Sequence, residues 1–226
     1  QTGSDASTYD ISSTYLQRTL ASFLGRISYN YDDRYVITLV GRKDGSSVFE
    51  TGKKWAFFPS IGGAWNMDRE RFLENVESVS SLKIRGSYGM IGEQGVEPYN
   101  SFNLLNPQNT YFNENLVGAV LLGTPASEGL KWETTKQLDL GFELGLWNNR
   151  VSFEADYYQK TTEDLLLFSA LPTTAGVRQL KNVGSVQNRG FDFSLNTVNI
   201  NKNNFGWDTA ITLSTNKSNV LDLGDE

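Results

Sequence analysis

Residues 136–160, KQLDLGFELGLWNNRVSFEADYYQK, place a leucine or phenylalanine at every second position from Leu138 to Leu146 (Leu138, Leu140, Phe142, Leu144, Leu146). The pattern breaks at Trp147-Asn148-Asn149 and resumes at Val151. Successive side chains of an extended strand point to opposite faces, so this stretch predicts a two-faced strand, a tight turn and a second two-faced strand. The same period of two recurs along the chain, and helical periodicity is nearly absent. It predicts about eight strands, near 22–31, 35–44, 55–66, 82–92, 134–147, 150–162, 187–199 and 205–216. Most run to about ten residues or more, against a usual strand of about 5–6. Only DRERFLENVESVS (68–80), with Phe72, Val76 and Val79 at helical spacing, reads as a short helix.

The connections alternate in length. Asp32-Asp33, the stretch around 67–81, Asn148-Asn149 and the NKNN of 201–204 are short. DGSSVFETGKK (44–54), residues 93–132, residues 165–186 and whatever follows 217 are long. Paired Asp and Asn tolerate the left-handed backbone that tight hairpins require. Short turns at one end and long loops at the other describe an up-and-down antiparallel meander, and this is also the loop asymmetry of outer-membrane barrels.

Each strand can be split by parity. One set contains Phe23, Ile27, Tyr29, Tyr31; Tyr35, Ile37, Leu39; Phe57, Ile61, Trp65; Leu82, Ile84, Tyr88, Met90; Leu138 to Leu146; Val151, Phe153, Tyr157; Phe191, Phe193, Leu195; and Trp207, Ile211, Leu213, with no charged member. The opposite set holds Arg26, Arg42, Lys83, Arg85, Asp139, Glu143, Glu154, Asp156, Asp192 and Asp208. A lipid-facing Arg or Lys costs roughly 2–4 kcal/mol at mid-bilayer, enough to clear charge from a face. A soluble sandwich with one wet face predicts the same alternation, so parity alone does not decide.

The aromatics favour lipid. Tyr29, Tyr31, Tyr35, Trp65, Trp147, Phe205 and Trp207 all fall within a few residues of the short connections. Amphipathic rings gather at the headgroup level, whereas a sandwich core would hold its largest residues at mid-strand. Strands of this length also match the ~9–11 tilted residues that span a bilayer. Trp147 has the wrong parity and is expected in the turn. Pro59 cannot donate to a ladder, so it is expected at a bulge or beyond the membrane.

Composition removes several functions. The net charge is −6, with no basic cluster, so nucleic acid is excluded as a partner. Cys and His are both absent, which excludes a thiol nucleophile, a disulfide, a thiolate zinc site and imidazole acid–base chemistry. No apolar run reaches 18 residues; LVGAVLLG (116–123) is too short for a membrane helix. The opening QTGSDASTYD lacks the charged and apolar regions of a leader, so the chain is expected to be mature or an interior piece.

Other motifs have a functional and a plain reading. In GRKDGSSVFETGKKW the oxygens of Asp44, Ser46 and Ser47 suit an ion or a sugar, but Asp, Gly and Ser dominate exposed turns, and that reading is preferred. GMIGEQG (89–95) lacks both the spacing and the following helix of a phosphate loop, and reads as a strand end where backbones approach closely. Arg85, Asp139, Glu143, Glu154, Asp156 and Asp192 read as ion pairing on a wet face rather than as a catalytic carboxylate pair. No catalytic residue, cofactor site or metal site is assigned. Trp55, Tyr99, Tyr111, Phe112 and Trp132 are candidates to stack on sugar rings, or else pack the long loops together. LLLF (165–168) with LPTTAG is a candidate protein contact, or else loop self-packing.

Several stretches then resemble one family in order and spacing. They are GRISYNYDDRYVITLVGRKDGSSVF (25–49), WAFFPSIGGAWNMDRERFL (55–73), LKIRGSYGMIGEQGVEPY (82–99), LKWETTKQLDLGFELGLWNNRVSFEADYYQKTTEDLLL (130–167), LPTTAG (171–176) and NVGSVQNRGFDFSLNT (182–197). Over nearly all of residues 20–220 the chain resembles the SusC/RagA group of TonB-dependent outer-membrane transporters of Bacteroidetes-type bacteria. The resemblance implies a segment of a large all-β, antiparallel, up-and-down transmembrane β-barrel in the bacterial outer membrane. It implies import of oligosaccharides, peptides or similar bulky solutes, a SusD-like surface lipoprotein as partner, and energy from the TonB complex through an N-terminal region. About eight strands do not close a 22-stranded plugged barrel. The whole chain, 1–226, is therefore expected to be part of one barrel domain whose plug and remaining strands lie elsewhere in a longer polypeptide. Two other functions stay open at this stage: an outer-membrane barrel with hydrolase activity, and a soluble β-sandwich acting as an adhesive or binding module.

Overall fold

The computed structural model describes residues 15–99, 105–122, 126–127, 129–170 and 178–224. Eight long strands form one antiparallel sheet. They are β1 (Leu20–Tyr31), β2 (Tyr35–Ser46), β3 (Trp55–Asn66), β4 (Val79–Glu93), β7 (Glu133–Leu146), β8 (Val151–Glu163), β11 (Ser185–Lys202) and β12 (Phe205–Asp222). Two hairpins occupy long connections: β5 (Leu105–Phe112) with β6 (Asn115–Leu122), and β9 (Leu166–Ala170) with β10 (Arg178–Asn182). The long strands lie in chain order across the sheet, so the meander is up-and-down, and β1 and β12 are its open edges among the described residues.

Turn chemistry explains the tight end. Asp32 and Asp33 take φ of 53° and 52°, and the β1–β2 ladder closes on Tyr31↔Tyr35. Trp147, Asn148 and Asn149 take 52°, 55° and 59°, and Trp147 lies outside β7 as its parity required. The β5–β6 hairpin turns on Asn113 and Glu114 in the same conformation.

The expected helix over 68–80 is not formed. A 3-10 turn covers Met67–Arg69, and the chain continues as separate turns: Leu73 N bonds Glu70 O, Val76 N bonds Leu73 O and Val79 N bonds Val76 O. Phe72 and Val76 are exposed, so the apolar spacing finds nothing to pack on, and an isolated helix this short is marginal in itself. Val79 opens β4 instead.

Pro59 creates no bulge. It pairs with Gly41 in an unbroken β2–β3 register and lies one residue beyond Ser60↔Gly89, where the β3–β4 ladder ends. Its missing N–H therefore falls where a ladder has already stopped. Past that point Phe58 lies against Gly92, where an added Cβ would overlap the ring. Close approach, the reading given to GMIGEQG, is what this glycine permits.

The core is small and sits at the long-loop end. Val48, Phe49, Phe58, Val96, Leu130, Trp132 and Leu180 form one buried cluster, flanked by Ala56, Met90 and Leu166. Asp44 and Ser46 are buried beside it, which corrects the expectation of an exposed loop over 44–54 at those two residues. Val48 and Phe49 supply the apolar driving force that pulls this segment inward.

Candidate functional site: a two-faced wall and its rim

Every residue of the uncharged set is exposed or half-buried. Ile27 is 70 % exposed, Ile61 51 %, Leu140 50 % and Ile211 56 %, so no protein layer covers this side among the described residues. Rings run across it from strand to strand: Phe142 to Phe153 at 6.4 Å, Phe153 to Phe193 at 6.5 Å and Tyr157 to Phe191 at 5.0 Å between centroids. Such cross-strand pairs stabilise a sheet face. So broad an apolar face on a single sheet layer requires an apolar medium.

The opposite face is ion-paired. Arg85 on β4 reaches Glu143 on β7 (Nε to Oε1, 2.8 Å) and Asp156 on β8 (2.9 Å), with Glu154 at 3.5 Å. Lys83 Nζ lies 3.3 Å from Glu143, and Ser87 Oγ donates to Asp139 at 3.3 Å. These groups are partly exposed, as on a hydrated wall.

At the short-turn end, Tyr31, Tyr35 and Trp65 stack in succession, with centroids 6.4 and 6.1 Å apart. The polar edges of Tyr35 and Trp65 meet one carboxylate. Tyr35 Oη donates to Glu70 Oε1 at 2.6 Å, Trp65 Nε1 donates to the same oxygen at 3.1 Å, and an Arg34 nitrogen lies 3.7 Å from Oε2. The Tyr35 hydrogen bond above all, then that of Trp65 and the Arg34 charge, hold the Glu70 carboxyl below its ordinary range. The turn that failed to become a helix thus anchors the girdle.

The five aromatic candidates fall in different environments. Trp132 is 5 % exposed, packed on Phe49 (5.1 Å) and edge-on to Phe58 (5.8 Å), and donates Nε1–H to Lys54 O; it packs loops. Trp55 opens β3 on the uncharged side, stacked on Phe23 at 5.9 Å with Lys43 Nζ 5.6 Å from its ring. Tyr99, Tyr111 and Phe112 keep exposed rings, the last two beside the β5–β6 turn. Leu166 packs against the core while Leu167 and Phe168 are exposed; LPTTAG lies outside the described residues.

Sequence reasoning missed Phe58, which has charged-side parity yet is buried. Its only signal was an aromatic ring at odds with its face, opposite a glycine-rich strand. It also missed the pairing of Arg42 with Asp44, whose Nε and Oδ2 are 2.7 Å apart. Two charges of opposite sign at i and i+2 on a strand were the available sign.

A single-layer meander with one open face uncharged through mid-strand, one ion-paired face, tight turns at one end and packed loops at the other is a transmembrane β-barrel wall. The chain matches the family model described as TonB dependent receptor-like, beta-barrel, over residues 1–225. The chain belongs to that family. It is 45 % identical over 222 residues to TonB-dependent receptor P26 of Formosa agariphila, covering 98 % of this chain and 22 % of that protein. To TonB-dependent receptor SusC of Bacteroides thetaiotaomicron it is 32 % identical over 218 residues, covering 93 % and 22 %. Among solved structures, the RagAB peptide importer in its open-open state matches with a TM-score of 0.82 and 28 % identity, covering 92 % of this chain and 22 % of that one. The chain thus spans about a fifth of the length of these relatives.

Proposed function

We propose that this chain is wall and rim of a TonB-dependent outer-membrane importer for bulky solutes, oligosaccharides or peptides among them. One observation carries the reading: through mid-strand the sheet exposes an uncharged face and places its ion pairs on the other, and the charges that share the apolar side, Lys43, Lys136, Glu163, Arg189 and Lys217, all lie toward the long-loop end. Lipid takes the first and an aqueous lumen the second. Residues 1–226 form part of one barrel domain, and the rest of a longer polypeptide supplies the remaining strands and the plug.

The work of such a wall is gating and passage rather than bond chemistry. Nearness to SusC and to the RagAB importer supports a SusD-like surface lipoprotein as partner at the long-loop end, and coupling to the TonB complex through another region. Tyr99, Tyr111 and Phe112 are exposed rings available to solute or partner there.

The test is uptake by cells carrying the full-length parent. Import is expected to stop when the TonB complex is removed and to return when it is restored. Uptake indifferent to that complex overturns the reading.

A further inference from the structure

Toward the long loops the apolar face gains charge. Arg189 stands two residues beyond Phe191 on β11, and Lys217 of β12 is its direct partner in the ladder. Both are exposed. They belong to the apolar side, because Gly190, the residue between Arg189 and Phe191, faces Tyr158 on the charged one, where an added Cβ would meet its hydroxyl. Directly opposed residues carry Cβ atoms about 4.5–5.5 Å apart, and like charges there destabilise a sheet.

The charged face meets such a clash with a counter-ion, Arg85 lying between Glu143 and Glu154. Here the fold supplies none. Arg189 sits between β8 and β12, so both of its neighbouring strands are described. Across and diagonally on its own face lie Gln159, Tyr157, Thr161, Thr215 and Asn219, all neutral. Glu163, the acid on this face, is taken by Lys136 at 2.6 Å, and Lys43 lies over the Trp55 ring. Among the described residues neither Arg189 nor Lys217 has an ion-pair partner.

Position along the strand indicates what the missing anion is. Lys217 lies ten residues from Trp207 of the aromatic girdle, and Lys43 lies eight from Tyr35. A bilayer takes about 9–11 tilted strand residues to cross. The cations therefore stand where hydrocarbon gives way to the headgroups at the long-loop, outer side. The anion that layer offers is lipid phosphate. A guanidinium forks onto two phosphate oxygens, an ammonium adds a point charge, and basic side chains at a membrane surface attract anionic lipid.

We propose that Arg189 and Lys217 form a docking site for the phosphate headgroup of a lipid in the outer leaflet. The inference rests on the reading of the uncharged face as lipid-facing and assigns that face one specific occupant at its loop end. The phosphate replaces the missing counter-ion and bridges β11 to β12, while the acyl chains run down past Phe191, Phe193 and Leu213, which are apolar and next along the same face.

The test is native mass spectrometry of the purified full-length parent, titrated in detergent with monophosphorylated lipid A, with the same lipid lacking its phosphate, and with inorganic phosphate. The phosphorylated lipid is expected to bind, and the other two at least about tenfold more weakly. R189Q/K217Q should weaken the phosphorylated lipid by about ten- to thirtyfold, the range for two cations at an anionic surface, and R189K/K217R should retain it. R26Q, which removes an exposed cation from the charged face of β1, should change nothing. K217E sets a carboxylate opposite Arg189. It should lose the lipid yet raise resistance to urea in vesicles of neutral lipid, which gives a readout if the double variant fails to fold. The inference is overturned if the phosphate makes no difference to lipid binding, if folded R189Q/K217Q or K217E binds as the parent does, or if inorganic phosphate binds as tightly as the lipid. A carboxylate brought to the pair by the next strand of the parent would show itself in the second of these outcomes. Lipid binding in detergent needs no energy coupling. A parent that held the lipid here yet imported without the TonB complex would sink the importer reading and leave the docking site standing.

Discussion

Glu143 on β7 and Glu154 on β8 stand directly opposite each other in the ladder, two carboxylates in register on the charged face. Arg85 joins them, 2.8 Å from the first and 3.5 Å from the second, and holds Asp156 as well. Like charges directly opposed destabilise a sheet. R85M removes the shared cation and leaves three carboxylates together, so a loss of about 1–2 kcal/mol is expected at low salt, small because the groups are partly exposed. Added salt should shrink it. E154Q on top of R85M should restore part. Urea unfolding of the parent barrel in lipid vesicles measures all three, and an R85M barrel of unchanged stability at low salt would show that Arg85 joins nothing of consequence.

The seam between β3 and β4 depends on shape rather than charge. Phe58 occupies the position that a Cβ on residue 92 would take. G92A should cost about 1–3 kcal/mol, the usual penalty for overfilling a packed site. F58L alone also destabilises, but the double variant should cost less than the sum of the two, because a smaller side chain frees room for the new methyl. Additive losses in the same unfolding assay would mean that ring and glycine do not interact.

Glu70 makes the short-turn end sensitive to acid. Its carboxyl titrates below its ordinary value because Tyr35, then Trp65, donate to the ionised form. A group whose folded pKa is lowered contributes stability that is complete above its unfolded pKa, near 4.5, and is lost as pH falls through the lower folded value. Trp65 fluorescence in the parent barrel should therefore change in that acid window and be level above it. In E70Q the step should vanish. A step that persisted in E70Q would belong to another carboxylate.

The eight long strands were legible because each is two-faced: parity alone placed Leu138 to Leu146 on one side and Glu143 on the other. Turn chemistry was equally local, and Asp32-Asp33 and Asn148-Asn149 adopt the left-handed geometry their side chains allow. The hairpins β5–β6 and β9–β10 were read as loops because NPQNTYF and RQLKN carry weak alternation, so pairing with a neighbour had to define them. The helix over 68–80 was misread because spacing says nothing of what a face packs against. Asp44 was read as exposed because Val48 and Phe49, which draw its segment inward, find their partners Leu130 and Trp132 far along the chain. Long-range burial has no period, so strand-level reasoning could not see the rim.

Which side meets lipid is open to direct test with one residue from each face. Leu140 lies mid-strand on the uncharged face, half exposed, with Gly86 of β4 opposite it. Thr212, mid-strand in β12, projects from the other face opposite Ser194. Arginine at a lipid-facing mid-bilayer site costs roughly 2–4 kcal/mol, whereas on a hydrated surface a substitution usually stays within about 0.5 kcal/mol. L140R should therefore destabilise the parent barrel by several times more than T212R when unfolded from vesicles. The gap should narrow in thin bilayers, where Leu140 sits nearer the headgroups. Equal costs would mean that neither face meets hydrocarbon, and a costly T212R beside a silent L140R would turn the wall inside out.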